Sequence, residues 1–177
     1  MKHLNIEITC LDWIQSVFQS DFLDEIMVRI TMLGNGGILW IALTLLLLLF
    51  PKTRMAGWAM LAALAVEAAV CNGILKPLVG RARPFEVNHE IQLLIPPPLD
   101  PSFPSGHTGA SFAAAFALFF KRNRLWIPLA ILAVLMAGSR LYLYVHYPTD
   151  VLAGAFLGIL SGWAGNRLTG MIHRRQA

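Results

Sequence analysis

The sequence predicts an all-α integral membrane protein, a helical bundle of about five transmembrane helices with an interfacial helix at the N-terminus. Hydrophobic residues make up 56% of the 177 positions and charged residues only 14%, whereas about a quarter of the residues in ordinary soluble domains are charged. The hydrophobic residues collect in runs that end in proline, lysine or arginine, as expected of helices that cross a bilayer. The length fits one domain, which we place at residues 23–172, after an N-terminal helix at 1–22.

The N-terminal segment is expected to lie along the membrane surface. In residues 4–20, apolar side chains such as Leu11 and Ile14 recur every three or four positions among acidic and polar ones, which favours an amphipathic helix in the interface. A disordered tail is the alternative. The first basic residues are followed by Glu7 and Asp12 instead of an apolar core, so the segment does not have the pattern of a secretory signal.

Five apolar runs follow this segment. They are expected to cross the membrane at about 23–50, 55–75, 107–120, 125–144 and 149–171. Glycines at 34–37 interrupt the first span. In the last span, Gly154, Gly158 and Gly162 recur every fourth residue, a pattern of small side chains that lets helices approach closely. This glycine face serves either a contact within the bundle or a dimer, so the oligomeric state stays open.

The segment 76–106 differs from the spans because it is polar and rich in proline, and it is too irregular to be exposed to lipid. The basic residues of the short connections fall on one side of a five-span arrangement: Lys52, Arg54, Lys121, Arg122, Arg124, Arg174 and Arg175. The positive-inside rule makes that side cytoplasmic. We therefore expect a multi-pass protein of the cell membrane with segment 76–106 on the extracytoplasmic side, where Lys76, Arg81 and Arg83 break the rule unless they have another role.

Three short motifs meet on that extracytoplasmic side. They are Lys76 with Arg83-Pro84, then Pro104-Ser105-Gly106-His107, and then Ser139-Arg140 with His146 and Asp150. Lysine and arginine side chains in one place need an anion to offset their repulsion, and guanidinium groups match phosphate oxygens with paired hydrogen bonds. A helix that begins at the second motif adds free backbone amides, and its glycine permits close approach. The sequence thus predicts a phosphate-binding site formed by Lys76, Arg83, Ser105, Gly106 and Arg140.

Two histidines and one aspartate supply the chemistry. His146 lies four residues before Asp150, and Pro148 between them suits the first turn of a helix. The carboxylate can therefore hold one ring nitrogen while the other attacks phosphorus. His107 can protonate the leaving oxygen and later activate water, because a histidine ordinarily titrates at about 6.5. No HExxH, CxxC or carboxylate cluster accompanies the histidines, so the sequence predicts a metal-independent enzyme without a cofactor, in which cations stabilise the transferring phosphoryl group.

These motifs, K-x6-RP, PSGH and SR-x5-H-x3-D, resemble in order and spacing the three signatures of the type 2 phosphatidic acid phosphatase (PAP2) superfamily. They span Lys76 to Asp150, and the five-span arrangement extends the resemblance over nearly the whole chain. The resemblance implies a PAP2-like core and a lipid phosphatase that forms a phosphohistidine. It assigns phosphate binding to Lys76, Arg83 and Arg140 with support from Ser105 and Gly106, acid–base catalysis to His107, the nucleophile to His146 and its orientation to Asp150.

The substrate is expected to be a membrane lipid phosphate. The compact size, the N-terminal helix and the run HYPTDVLAG are similar to small bacterial members, the undecaprenyl-diphosphate and phosphatidylglycerophosphate phosphatases. We expect undecaprenyl diphosphate, with phosphatidylglycerophosphate, phosphatidate and lipid A phosphates as alternatives. Two other classes are a vanadium haloperoxidase, which shares the anion pocket but is soluble and much longer, and a non-catalytic membrane protein that binds lipid phosphate. Nucleic acid is not expected, because the basic residues lie at segment ends instead of on one face.

A few polar residues remain outside the motifs. Glu67 lies inside an apolar span, where an ionisable side chain is either functional or a packing carboxyl. Arg81 is expected to bind phosphate, to line the access route or to contact lipid headgroups. Tyr142 and Tyr144 are expected to be interfacial aromatics. Neither cysteine has metal-ligand spacing, and both are interpreted as packing residues.

Overall fold

The computed structural model describes the backbone of residues 2–176 and the side chains of residues 6–171, so the side chains of Arg174 and Arg175 lie outside it. Within that part of the chain every regular element is helical, which confirms the all-α prediction. The helices are α1 Lys2–Phe18, α2 Asp21–Leu33, α3 Ile38–Leu49, α4 Arg54–Val70, α5 Lys76–Val79, α6 Pro84–Val87, α7 Gly106–Phe120, α8 Trp126–Tyr142 and α9 Pro148–Gln176.

A short 3₁₀ turn, Asn35–Gly37, separates α2 from α3, as the glycines at 34–37 predict. Gly36 and Gly37 have φ angles of 60° and 69°, which glycine adopts without steric penalty, and the two helices are bent by 45° relative to each other. The break also comes close to α7, because a Cβ at Gly34 would lie 2.6 Å from Cδ2 of His107. The broken helix therefore brings irregular backbone beside a predicted site residue.

Length and apolar composition mark the helical stretch that begins with α4 as long and apolar enough to cross a membrane, and α2 with α3 passes the same test as a bent pair. Helices α7 and α8 are apolar but shorter, at 15 and 17 residues. The helix bounds agree with the expected spans within a few residues, while the number of spans stays a prediction.

The glycine face of α9 packs against α7 inside the bundle. A Cβ at Gly162 would lie 2.8 Å from the backbone nitrogen of Ala117, and a Cβ at Gly154 would lie 2.5 Å from the carbonyl oxygen of Ser105. These distances are too short for any side chain, so the two backbones touch only because glycine is present. The close contact places the start of α9 beside the start of α7, and the backbone nitrogen of Ser105 donates to the carbonyl oxygen of Asp150 at 3.0 Å.

Replacing Gly158 with valine should therefore separate these helices. A Cβ at this position would collide with the carbonyl oxygen of Gly109 and would lie 2.7 Å from Cβ of Phe112. We expect a loss of about 3 kcal/mol of unfolding free energy, as for overpacked interiors, measured by thermal unfolding in detergent. Gly170→Val is the matched control on the same helix, because no atom lies within 4 Å of its added Cβ. Equal melting temperatures for the two variants would contradict the close α7–α9 contact.

Helix α1 lies against the turn that joins α8 to α9. Leu11 is fully buried and packs with Tyr144 and Tyr147 of that turn. Nε2 of Gln15 donates to the carbonyl oxygen of Tyr142 at 2.5 Å. The predicted N-terminal helix is thus present, and its inner face contacts the segment that carries His146.

Tyr142 and Tyr144 are buried inside the protein, so the expectation that their rings are exposed to the membrane interface is wrong. They are 3% and 0% exposed, and their hydroxyls donate to Asp24 Oδ1 at 2.5 Å and Asp12 Oδ1 at 2.7 Å. Tyr144 also has a φ angle of 59°, an uncommon value for a bulky residue, and its hydroxyl accepts a hydrogen bond from Asn88 at 3.1 Å. The rings are buried because α1 and α2 cover the turn, a tertiary contact that the span pattern does not contain.

Candidate active site

A cavity of about 260 Å³ brings together most of the predicted site residues. Its lining includes Lys76, Arg83, Gly106, His107, Arg140 and His146. Ser105 and Asp150 lie behind this wall, and both are fully buried. Three cations and two histidines from distant parts of the chain therefore face one small space.

Helix ends place these side chains. Lys76 begins α5 directly after a π-helical turn, Cys71–Leu75, and such turns are frequent at functional sites. Arg83 precedes Pro84, the first residue of α6, where the fixed φ of proline suits a helix start. Arg140 lies in the last turn of α8. The cations are thus held where regular structure stops and side chains can converge.

Arg140 is a buried cation without an anionic partner. It is 2% exposed, its Nη1 donates to the hydroxyl of Thr31, and its Nε has no hydrogen-bond partner. Among residues 6–171, no carboxylate forms an ion pair with it. An isolated charge costs several kcal/mol to bury, so the cavity is built to receive an anion.

Lys76 and Arg83 share one carboxylate, that of Asp100. Nη2 of Arg83 donates to Oδ1 of Asp100 at 2.8 Å, its Nε donates to the Asp100 carbonyl oxygen at 2.8 Å, and Nζ of Lys76 donates to Oδ2. Burial alone would raise the pKa of Asp100, but the hydrogen bond and charge of Lys76 and the charge of Arg83 lower it to about 2. An ionised carboxylate therefore lies on two of the three predicted phosphate ligands.

The ring of His146 is oriented from one side and open to the cavity on the other. Its Nδ1 lies 3.5 Å from Oδ2 of Asp150, and that oxygen also accepts from the Ser102 hydroxyl at 2.5 Å and the Tyr147 amide at 2.9 Å. Its Nε2 lies 3.3 Å from Nη1 of Arg83. Nε2 is therefore the nitrogen available to an anion held in the cavity.

Burial keeps His146 neutral. The side chain is 1% exposed, and desolvation lowers its pKa to about 3, with the charges of Arg140 and Arg83 acting in the same direction and the Asp150 hydrogen bond opposing them. A neutral imidazole retains a free lone pair on one nitrogen. The geometry thus places an uncharged imidazole nitrogen beside cations.

His107 contributes the second imidazole, from the first turn of α7. Its Nε2 lies 3.1 Å from Oδ1 of Asn35 in the break between α2 and α3. The next residue back, Gly106, lines the cavity and begins the helix, so its backbone faces the anion site. The hydroxyl of Ser105 caps α7 by accepting from the Thr108 amide and lies 2.9 Å from the Thr108 hydroxyl, which places it in support of the helix start.

Arg81 lies outside the cavity lining, which argues against the expectation that it binds phosphate directly. Its Nη1 donates to Oδ1 of Asp150 at 2.6 Å, and its Nη2 donates to Glu7 Oε2 at 2.5 Å. The motifs do not predict this contact of Arg81 with Asp150. They also do not predict that the site includes Thr31, Asn35, Asp100 and Ser102. The only signal for Asp100 in the sequence is its position among prolines in a loop that also carries Lys76, Arg81 and Arg83.

The sequence profile of the PAP2 superfamily matches residues 56–174, which include every predicted site residue. Among characterised proteins, the chain is 36% identical over 137 residues to "Undecaprenyl-diphosphatase" of Sulfolobus acidocaldarius, covering 77% of this chain and 66% of that protein. It is 34% identical over 152 residues to "Undecaprenyl-diphosphatase BcrC" of Bacillus subtilis, covering 85% and 77%. The motif resemblance is thus confirmed by independent comparisons along most of the chain.

Solved structures share the fold. The chain superposes on Aquifex aeolicus LpxE with a TM-score of 0.80, at 27% identity and over 92% of this chain and 95% of that one. It superposes on a transmembrane PAP2-type phosphatidylglycerolphosphate phosphatase from Bacillus subtilis with a TM-score of 0.75, at 27% identity and over 95% and 86%. The predicted PAP2-like core is confirmed, and the chain belongs to the PAP2 superfamily of membrane phosphatases.

Proposed function

We propose that this lipid phosphatase removes the terminal phosphate of undecaprenyl diphosphate and leaves undecaprenyl phosphate. The observation that carries the proposal is the neutral, buried His146, with Asp150 behind one nitrogen and the other facing a cationic cavity. The lipid is supported by the relatives named as undecaprenyl-diphosphatases, at 34–36% identity. We assign catalysis to residues 23–172, with α1 docked against the turn that joins α8 to α9.

In the first step, Nε2 of His146 forms a bond to the terminal phosphorus and the bond from phosphorus to the lipid phosphate oxygen breaks. Lys76, Arg83 and Arg140 offset the charge on the transferring group, as positioned cations do in other phosphoryl transfers. We assign to His107 the proton that the leaving oxygen takes, which the imidazole holds once the bound phosphate anions offset the surrounding cations. The products are undecaprenyl phosphate and a phosphohistidine whose Nδ1–H faces Asp150.

In the second step, water attacks the phosphohistidine. His107, now without its proton, takes one from the water as the oxygen bonds to phosphorus. The bond from phosphorus to Nε2 breaks and inorganic phosphate is released, which returns His146 to the neutral state and His107 to the protonated state. Atoms and protons balance over the cycle without any other reactant.

The depressed pKa of His146 predicts how the first step depends on pH. Because its pKa is lowered to about 3, the neutral nucleophile should persist as the pH falls, and protonation should remove it only below about pH 4. With a substrate whose leaving group needs no proton, such as p-nitrophenyl phosphate, the rate of enzyme phosphorylation should stay flat from pH 7 to 4.5 after correction for substrate titration. If rapid-quench measurements show that the phosphorylation rate falls with a midpoint near pH 6.5, burial does not lower the pKa of His146.

We propose that the reaction needs no metal, because positive charge is already built into the cavity. Within residues 6–171, no group of three or more His, Cys, Asp or Glu side chains is placed to hold a metal ion. Full activity in excess chelator is the expected result. A strict requirement for added Mg²⁺ would overturn this part of the proposal.

A second, apolar groove suits the hydrocarbon part of the substrate. It has a volume of about 560 Å³, runs between α3, α4 and α7, and shares Lys76, Asp100, Gly106 and His107 with the cationic cavity. Ile41 and Leu45 line it and are 52% and 57% exposed, so the groove reaches the surface of the bundle. A lipid whose phosphate lies among the cations can thus extend its chain along this groove into the bilayer.

The identity of the lipid substrate is tested by measuring the phosphate that the purified protein releases from four lipids in matched detergent micelles. Undecaprenyl diphosphate should give a kcat/KM at least about tenfold above phosphatidylglycerophosphate, phosphatidate and a lipid A phosphate, a difference of about 1.4 kcal/mol in transition-state binding. A higher kcat/KM for any of the other three would leave the phosphatase assignment in place and overturn the proposal that undecaprenyl diphosphate is the substrate.

We also propose that the site faces the extracytoplasmic side. The chain enters α4 and leaves α7 at the end of the bundle that carries Lys52, Arg54, Lys121 and Arg124, while the site lies at the opposite ends of these helices. Basic residues of short connections favour the cytoplasm. A cysteine at position 89 should react with an impermeant maleimide in intact cells, and one at position 123 should not; the reverse pattern would invert the orientation.

The contacts of Asp100 with Lys76 and Arg83 predict that this residue weakens the affinity for phosphate. Phosphate has to take over the donors of Lys76 and Arg83 that this carboxylate now occupies, so Asp100→Asn should lower both the KM and the vanadate inhibition constant several-fold, with little change in kcat. Glu90→Asn is a matched control, because it removes an exposed acidic side chain from the same loop. A higher KM in Asp100→Asn would mean instead that Asp100 holds the two cations in place for phosphate.

A further inference from the structure

Arg81 links three elements that meet behind the catalytic histidine. Its Nη1 donates to Oδ1 of Asp150 at 2.6 Å and to the hydroxyl of Thr149 at 2.7 Å, and its Nη2 donates to Oε2 of Glu7 at 2.5 Å. The guanidinium carbon lies 3.9 Å from the centroid of the Tyr147 ring. The side chain is thus held by three polar partners and an aromatic face, which fixes the guanidinium plane.

Glu7 completes this arrangement from α1. Its Oε1 accepts from the hydroxyl of Thr149 at 2.6 Å and from the Thr149 amide at 3.1 Å. The side chains of Glu7 and Arg81 are only 14% and 19% exposed, so this ion pair is better shielded than one at the surface. Helix α1 precedes the part of the chain that the superfamily profile matches, yet it supplies the carboxylate that holds Arg81.

The two oxygens of the Asp150 carboxylate have separate partners. Oδ1 faces Arg81, while Oδ2 accepts from Ser102 and the Tyr147 amide and lies 3.5 Å from Nδ1 of His146. A carboxylate can rotate about a single bond, so a donor on each oxygen fixes the angle at which Oδ2 meets the imidazole. That angle determines the orientation of the ring and of its nucleophilic Nε2.

We propose that Arg81 and Glu7 are positioning residues that hold Asp150, and through it His146, in the orientation required for attack on phosphorus. The proposal rests on the proposed function, since it needs His146 as the nucleophile. It assigns to α1 a role in the reaction. Neither residue is expected to touch the substrate, because Arg81 and Glu7 are both absent from the cavity lining.

The test measures the first-order rate of phosphohistidine formation in a single turnover with ³²P-labelled substrate, which does not depend on the folded fraction of a preparation. Arg81→Gln should lower this rate about 10- to 100-fold, the scale of loss seen when the hydrogen-bonded partner of a metal-ligating side chain is removed. Arg81→Lys should lower the rate less, because lysine keeps the positive charge but not the forked pair of guanidinium donors. Glu7→Gln should lower the rate several-fold, and the dissociation constant of vanadate should stay within twofold in all three variants.

A double-mutant cycle tests whether Glu7 acts through Arg81. If it does, Glu7→Gln should slow the reaction in the wild-type background and have no further effect in an Arg81→Gln background. Arg29→Gln is the matched control, because Arg29 forms an exposed ion pair with Glu25 on α2, with side chains 75% and 63% exposed, and should not change the rate.

The outcomes separate the two proposals. If the wild-type protein takes up no ³²P label, the phosphohistidine route is overturned, and the role of Arg81 with it. Label on the wild type with an unchanged rate in Arg81→Gln and Glu7→Gln would overturn the positioning role alone. A tenfold weaker vanadate affinity in Arg81→Gln would overturn it too, since Arg81 would then bind the phosphoryl group directly.

Discussion

Replacing His146 with alanine should lower phosphate release by at least about 10⁴-fold, the scale of loss seen when a covalent nucleophile is removed. Nε2 of this side chain is the nitrogen that is both open to the cavity and 3.3 Å from a cation, Arg83, and the variant has no atom to take its place. Phosphate release from lipid and ³²P labelling of the denatured protein should both disappear.

His89→Ala is the matched control for this experiment, because His89 lies exposed in the loop before the active-site prolines and has no role in the proposed reaction. Its activity should equal that of the wild type. Folding of His146→Ala is checked by its melting temperature and by vanadate binding, which Lys76 and Arg140 still provide. More than a few per cent of residual turnover in a folded His146→Ala protein would exclude the phosphohistidine route.

Replacing Arg140 with methionine should make the free protein more stable and nearly inactive. The guanidinium is 2% exposed and unpaired with any carboxylate in residues 6–171, so an apolar side chain of similar length removes a buried charge and should add about 1–3 kcal/mol of unfolding free energy. Phosphate transfer should fall about 10³-fold, because one positioned donor to the transferring group is lost.

Vanadate separates these two effects. It should raise the melting temperature of the wild type, since a ligand that binds only the folded state stabilises it, and should have a much smaller effect on Arg140→Met. Arg124→Met is the control for loss of one arginine, because Arg124 is exposed at the opposite end of the bundle. A lower melting temperature for ligand-free Arg140→Met would mean that its bond to Thr31 outweighs the cost of the buried charge.

Much of the fold and of the site could be predicted because the signals are local. Glycines mark the break at 34–37, prolines mark the starts of α6 and α9, and apolar runs mark the spans. Lys76, Arg83, His107 and Arg140 stand in short motifs whose spacing already implies a phosphate site. These features depend on backbone geometry and on residues close together in sequence.

The remaining site residues could not be predicted from the sequence, because contacts between distant segments bring them to the site. Ser102 lies 48 positions from Asp150, and Glu7 lies 74 positions from Arg81. No spacing rule connects such pairs, because they meet only after α1 and the proline-rich loop have folded over the turn at His146. The same tertiary cover explains why Tyr142 and Tyr144 are buried although the span pattern predicts interfacial aromatics.

The groove between α3 and α4 has a kinetic consequence. It opens through the side of the bundle at Ile41 and Leu45, so a lipid can reach the cations by diffusing within one leaflet, without passing through water. The concentration that the enzyme senses is then the mole fraction of lipid phosphate in the leaflet. Under the proposed function, we expect turnover in a cell to follow the composition of the membrane around the enzyme, with excess detergent or phospholipid acting as a diluent of the substrate.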